Sequence, residues 1–99
     1  MEIPPNVALI ESGAFEGCKS LTKINIPQSV KSIKDYTFSE CSSLETIEMH
    51  PGIISIWKKC FGLCTYLKQI TLPSYLETID DYAFYGCRSL NCIDIPELV

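Results

Sequence analysis

Six cysteines and one histidine are where reactive chemistry in this chain would have to begin. Cys60 and Cys64 are four apart, as in many zinc sites, but no second ligand pair follows at a suitable spacing. Cys18, Cys41, Cys64 and Cys87 recur at one constant interval, each three residues after a phenylalanine. That regularity suggests a ladder of small buried thiols filling space. A disulfide between neighbours such as Cys18 and Cys41 is the alternative the same spacing leaves open. Cys92 falls at an outward strand position and is the candidate exposed thiol, although no flanking base or cation would activate it. His50 stands at a turn, where a solvated imidazole is the expectation. A thiol hydrolase would need Cys92 and His50 within hydrogen-bond reach, yet the sequence separates them by two units. Asp80 and Asp81 lie at surface positions with nothing to raise their pKa. Phosphate loops, nucleophile elbows and zinc-protease motifs are not found. The expectation is a protein without enzymatic activity, metal or cofactor.

The elements that hold these residues follow from a repeat of 23 residues. Leu21, Leu44, Leu67 and Leu90 keep this step, as do Ile24, Ile47, Ile70 and Ile93. Further columns are Ile26, Met49, Leu72 and Ile95, then Phe15, Phe38, Phe61 and Phe84. Ile10, Ile33, Ile56 and Ile79 form another, and Val7, Val30, Ile53 and Leu76 one more. Pro4, Pro27, Pro73 and Pro96 punctuate the series, with His50 in the remaining place. In Leu-x-x-Ile-x-Ile the apolar residues alternate with polar ones, the period of a half-buried strand. Ile24 and Ile26 should point inward while Lys23 and Asn25 point out. Proline then ends the ladder and turns the chain. A second extended stretch follows, and then Ala14-Phe15-Glu16-Gly17-Cys18, where one short helical turn would place Phe15 and Cys18 on the inner face.

A single coil of this kind cannot bury its apolar columns, but stacked coils can. The prediction is one solenoid domain over residues 1–99, with units at approximately 4–26, 27–49, 50–72 and 73–95 and a tail at 96–99. Four coils at strand spacing give a slab about 20 Å long. Polar caps are not visible at either end, so the solenoid is expected to pair through an end, to aggregate, or to belong to something longer.

Bulk composition narrows the partners. The chain has 99 residues, 46% of them hydrophobic and 20% charged, which is an ordinary globular balance. The net charge is −4, and the cations are scattered apart from Lys58-Lys59, which argues against nucleic acid and anionic membranes. No segment approaches the length of a membrane span. Residues 1–20 do not resemble a targeting signal, so a natural start at Met1 predicts the cytoplasm, and any other start the cell surface.

The string Ile-Pro-x-x-Val-x-x-Ile-x-x-x-Ala-Phe-x-x-Cys-x-x-Leu-x-x-Ile-x-Ile, nearly complete in Ile3–Ile26 and recognisable in Pro73–Ile95, resembles the BspA-like class of leucine-rich repeat. The match covers essentially the whole chain. It implies a leucine-rich-repeat solenoid, an α/β-type right-handed coil, mostly β with short helical or 3-10 turns and a parallel sheet on the concave face. Members of that family are often surface proteins in adhesion and host contact, so the resemblance implies protein binding, with a secreted or cell-surface adhesion fragment as one form of it.

Two surfaces compete for the binding role. One is the outward face of the main sheet, formed by Lys23, Asn25, Thr46, Glu48, Gln69, Thr71, Cys92 and Asp94. The other is the third unit, where the pattern breaks. Trp57 stands in the column of Glu11, Lys34 and Asp80, and Ile54 in that of Ala8, Lys31 and Glu77. Lys58, Lys59, Leu63 and Tyr66 replace residues that are mostly polar or small in the other units. An exposed Trp with an Ile neighbour has the character of an interface anchor, although Trp57 folded back over the second strand would only plug a gap. The expected partner is another protein, with a homodimer or homo-oligomer formed through an end or through the Trp57 patch.

Overall fold

The computed structural model describes residues 3–90, 93 and 96. Its strands are short because each coil contributes only a few residues before it must turn. The first strand of each coil supplies β1 (Lys23–Asn25) and β3 (Thr46–Glu48), and the second supplies β2 (Ser32–Ile33), β4 (Ser55–Ile56) and β5 (Thr78–Ile79). β1 pairs with β3 in parallel, with Lys23 opposite Thr46 and Asn25 opposite Glu48. β2, β4 and β5 form a second parallel sheet with β4 in the centre. Ser32, Ser55 and Thr78 are partners in register, as are Ile33, Ile56 and Ile79. Each pairing joins residues one repeat apart, so the sequence period is the structural register. This is a leucine-rich-repeat solenoid.

Inside the coil the apolar columns stack like on like. Ile24, Ile33, Phe38, Leu44, Ile53, Ile56, Phe61, Leu67 and Leu76 are fully buried. The phenylalanines form a continuous pile, with ring centroids 5.5 Å apart between Phe15 and Phe38, Phe38 and Phe61, and Phe61 and Phe84. Their planes lie within 7° of parallel. Cys41, Cys60 and Cys64 are buried beside them.

The segment around Phe15, for which a helical turn was the expectation, is a ribbon of tight turns, and no helix occurs among the described residues. The reason lies in its hydrogen bonds, which alternate. Ala14, Glu16 and Cys18 donate N–H to carbonyls three residues earlier, on Glu11, Gly13 and Phe15. Gly13, Phe15 and Gly17 instead donate to Asp35, Thr37 and Ser39 of the next coil. A helix would keep every donor inside its own coil. Here every second donor ties one coil to the next, and the pattern recurs at Tyr36, Phe38 and Glu40 and at Lys59, Phe61 and Leu63.

This alternation needs left-handed backbone at two positions per coil. Gly13, Gly17 and Gly86 take positive φ, and so do Tyr36, Glu40, Lys59, Leu63 and Tyr82. A side chain there costs roughly 1–2 kcal/mol per residue. At Tyr36, Glu40, Lys59 and Leu63 the inter-coil bonds made by the same residues offset that cost. Gly86 has a second constraint, because a Cβ on it would lie 2.5 Å from the Leu63 side chain of the coil before.

Candidate interaction surfaces

On the first sheet, Lys23, Asn25, Thr46 and Glu48 are exposed while Ile24 and Ile47 are buried, as strand alternation requires. Gln69 and Thr71 are exposed around the buried Ile70 in the third unit. Cys92 and Asp94 lie outside the described residues. The described part of this face is small, polar and of mixed charge. A groove of about 440 Å³ opens beside its end, lined by residues that include Ile3, Asn25, Gln28, Glu48 and His50.

His50 is not the solvated turn residue expected. It is half-buried, and its ring bridges two coils. The Gly52 N–H donates to Nδ1 at 3.0 Å, so Nδ1 carries no proton there and Nε2–H donates to the Val30 carbonyl at 2.7 Å. That geometry assigns a neutral imidazole acting as a staple where the other units use proline.

The second sheet presents a different surface. Trp57 is folded back over β4, as its indole N–H donates to the Ser55 hydroxyl at 2.9 Å. It still leaves 36% of its surface to solvent. The Lys34 ammonium sits 4.5 Å above the ring, a cation–π contact from the preceding coil. Trp57 is therefore both packed and presented. Ile54, three residues earlier in the chain, is 45% exposed. The Lys58 N–H is held by the Asp35 carboxylate at 3.0 Å, which fixes the turn that follows.

Lys59 continues this basic and aromatic surface. Its ammonium lies 5.7 Å from the Tyr82 ring and 6.0 Å from Tyr85, and the two tyrosines meet edge to face at 5.8 Å. Tyr66 does not share these contacts; it is exposed beside Lys68, whose ammonium lies 5.4 Å from its ring, in the turn leading back to the first sheet. Lys34 and Ser55 were not singled out as site residues from the sequence. The signal was present, because Lys34 is one repeat before Trp57 and parallel stacking makes such residues touch.

The thiols are packed as donors. Sγ of Cys41, Cys64 and Cys87 donates to the carbonyls of Phe15, Phe38 and Phe61 at 3.2, 3.1 and 3.0 Å. Burial pushes the Cys41 thiol up to about 11 and that of Cys64 up to about 12, and raises Cys60 and Cys87 as well. Cys18, Cys41, Cys60, Cys64 and Cys87 are free, so the disulfide alternative does not hold for them. Among the described residues no three His, Cys, Asp or Glu side chains come together as a metal site. No helix among them is long and apolar enough to cross a membrane.

The family model of the BspA type leucine-rich repeat region, built on six copies, matches residues 1–99. The chain belongs to that family. Solved structures agree. A leucine-rich repeat protein from Bacteroides ovatus is 37% identical with a TM-score of 0.85, over 96% of this chain and 24% of its own. One from Bacteroides capillosus is 29% identical with a TM-score of 0.82, over 93% of this chain and 72% of its own. A leucine rich cell surface protein from Faecalibacterium prausnitzii is 33% identical with a TM-score of 0.75, over 83% of this chain and 21% of its own. This chain thus spans about a quarter of the B. ovatus protein and most of the B. capillosus one. A search of curated proteins found no match. Membership makes the chain a leucine-rich-repeat module, a stacked scaffold whose outward residues vary while its inward columns stay fixed.

Proposed function

We propose that this chain is a non-catalytic protein-binding module at the cell surface, and that it meets its partner through the outer face of the second sheet around Trp57. The observation that carries this reading is the state of Trp57 itself. Its ring is held by Ser55 and Lys34, yet the residue stays about a third exposed, and Ile54 in the same unit is exposed as well. A side chain already fixed in one orientation loses little entropy when it binds, which is what makes an efficient anchor. The surface location, in place of the cytoplasmic one expected from residues 1–20, is supported by the family and by the relative described as a cell surface protein. The cysteine ladder is neutral on the point, because its thiols serve packing and need neither a reducing nor an oxidising compartment. A non-catalytic role fits Cys41 and Cys64, whose burial raises the thiol pKa and keeps them protonated.

The test places a photoreactive residue at Ile54 in one sample and at Thr46 in another, each incubated with surface proteins of the source cells. A protein adduct from position 54 that disappears when Trp57→Ala is added is the expected result. Adducts from position 46 alone would move the function to the first sheet and contradict the proposal.

A further inference from the structure

The outer face of the second sheet carries an ordered run of charge that general protein binding does not require. Parallel register places Lys34, Trp57 and Asp80 in one column and Lys31, Ile54 and Glu77 in another. Backbone bonds hold both in place. Ile54 N–H donates to the Lys31 carbonyl at 3.0 Å, and the Ile54 carbonyl accepts from Glu77 at 2.8 Å. Trp57 N–H donates to Ile33 at 2.8 Å, and Asp80 N–H to Ile56 at 2.9 Å. From the second unit to the fourth each column runs cation, apolar, anion, and the first unit adds Glu11 and Ala8 outside that run. Lys31, Ile54, Trp57, Glu77 and Asp80 are exposed, and Lys34 is half-buried against the indole. Among the described residues none of the four charged side chains has an ion-pair partner.

Resting on the reading of the Trp57 face as the binding surface, we propose that its partner is a second copy of the chain, docked face to face about a two-fold axis running along β4. That rotation keeps the strand direction and reverses the stack direction. Lys34 then faces Asp80 of the partner subunit, and Lys31 faces Glu77 of the partner subunit. Trp57 meets the partner's Trp57 at the axis. The interface is isologous, so each charge pair occurs twice. A two-fold axis along the stack would set lysine on lysine and carboxylate on carboxylate, a like-charge arrangement that complementary interfaces avoid. β4 is the middle strand of its sheet, so the axis lies at the centre of the face with one charged strip about 5 Å to either side.

Sedimentation velocity on the full chain tests this. The wild type should dimerise, and dimerisation should weaken as salt rises from roughly 0.05 to roughly 1 M. Lys34→Glu and Asp80→Lys should each weaken it about tenfold, because two facing pairs turn repulsive at once. Mixing these two single variants in equal amounts should restore dimers, since each reversed charge then faces the other. The restored pairing also shows that both variants are folded. A wild type that stays monomeric at all concentrations, or reversed chains that fail to pair when mixed, would overturn the proposal. A monomeric wild type that still forms a Trp57-dependent adduct with a different protein from position 54 would overturn self-pairing alone and leave the surface assignment standing.

Discussion

At the scale of single residues, Cys64 joins packing to proton chemistry. Its S–H donates to the Phe38 carbonyl inside the core, and burial pushes its thiol from an ordinary value of about 9 up to about 12. Between those values the unfolded chain holds fewer protons than the folded one, so stability falls as pH rises. The contribution is complete below about pH 9 and is lost progressively toward about pH 12, with Cys41 behaving alike toward about 11. Urea midpoints should therefore decline across this alkaline window, and Cys64→Ala should flatten the decline. Thiol reagents at neutral pH should label Cys41, Cys60 and Cys64 only on unfolding, and rapid labelling of the native chain would contradict the burial argument. The burial of this cysteine column was legible from its spacing. Its acceptor was not, because the Phe38 carbonyl lies 26 residues away in sequence. The His50 staple was hidden for the same reason, since Val30 is 20 residues upstream. A turn position read locally suggests solvent.

At the scale of elements, the phenylalanine pile and the turn ribbon carry the stack together. Phe61 is fully buried between Phe38 and Phe84, with both neighbouring rings centred 5.5 Å away. Phe61→Ala removes that filling and two stacked contacts, and should cost about 3–5 kcal/mol in urea or thermal unfolding. Phe84→Ala, at a half-buried position, should cost visibly less. Equal losses at the two sites would mean that the pile is not what binds the coils. Strand positions and inward columns were legible because alternation and a fixed period both report burial directly. The ribbon was not, since its form depends on donors going alternately to their own coil and to the next one. Phe-x-x-Cys spacing fits either geometry, and only the neighbouring coil decides between them. The left-handed positions gave a weak hint through Gly13 and Gly17, which Tyr36, Glu40, Lys59 and Leu63 obscure in the middle coils.

At the scale of the whole molecule, the chain is a piece of uniform scaffold with one coil made different. The third unit was recognisable from the sequence by its departures, of which Ile54, Trp57 and Lys58 are exposed and Lys59 is half-buried. What the departures meant required the stack, because Lys34 and Ser55 reach Trp57 only when coils lie in register. Tyr66 broke the pattern too but stands near Lys68, away from these contacts. Trp57 is the only tryptophan in the sequence, so its fluorescence reports on this surface alone. The most direct test is acrylamide quenching of that fluorescence in the wild-type chain, from low micromolar to near-millimolar concentration at low salt. The account predicts that quenching falls and emission shifts to the blue as concentration rises, and that high salt reverses both. Quenching that stays constant while sedimentation shows the chain associating would place the contact elsewhere and contradict the assignment of the Trp57 face.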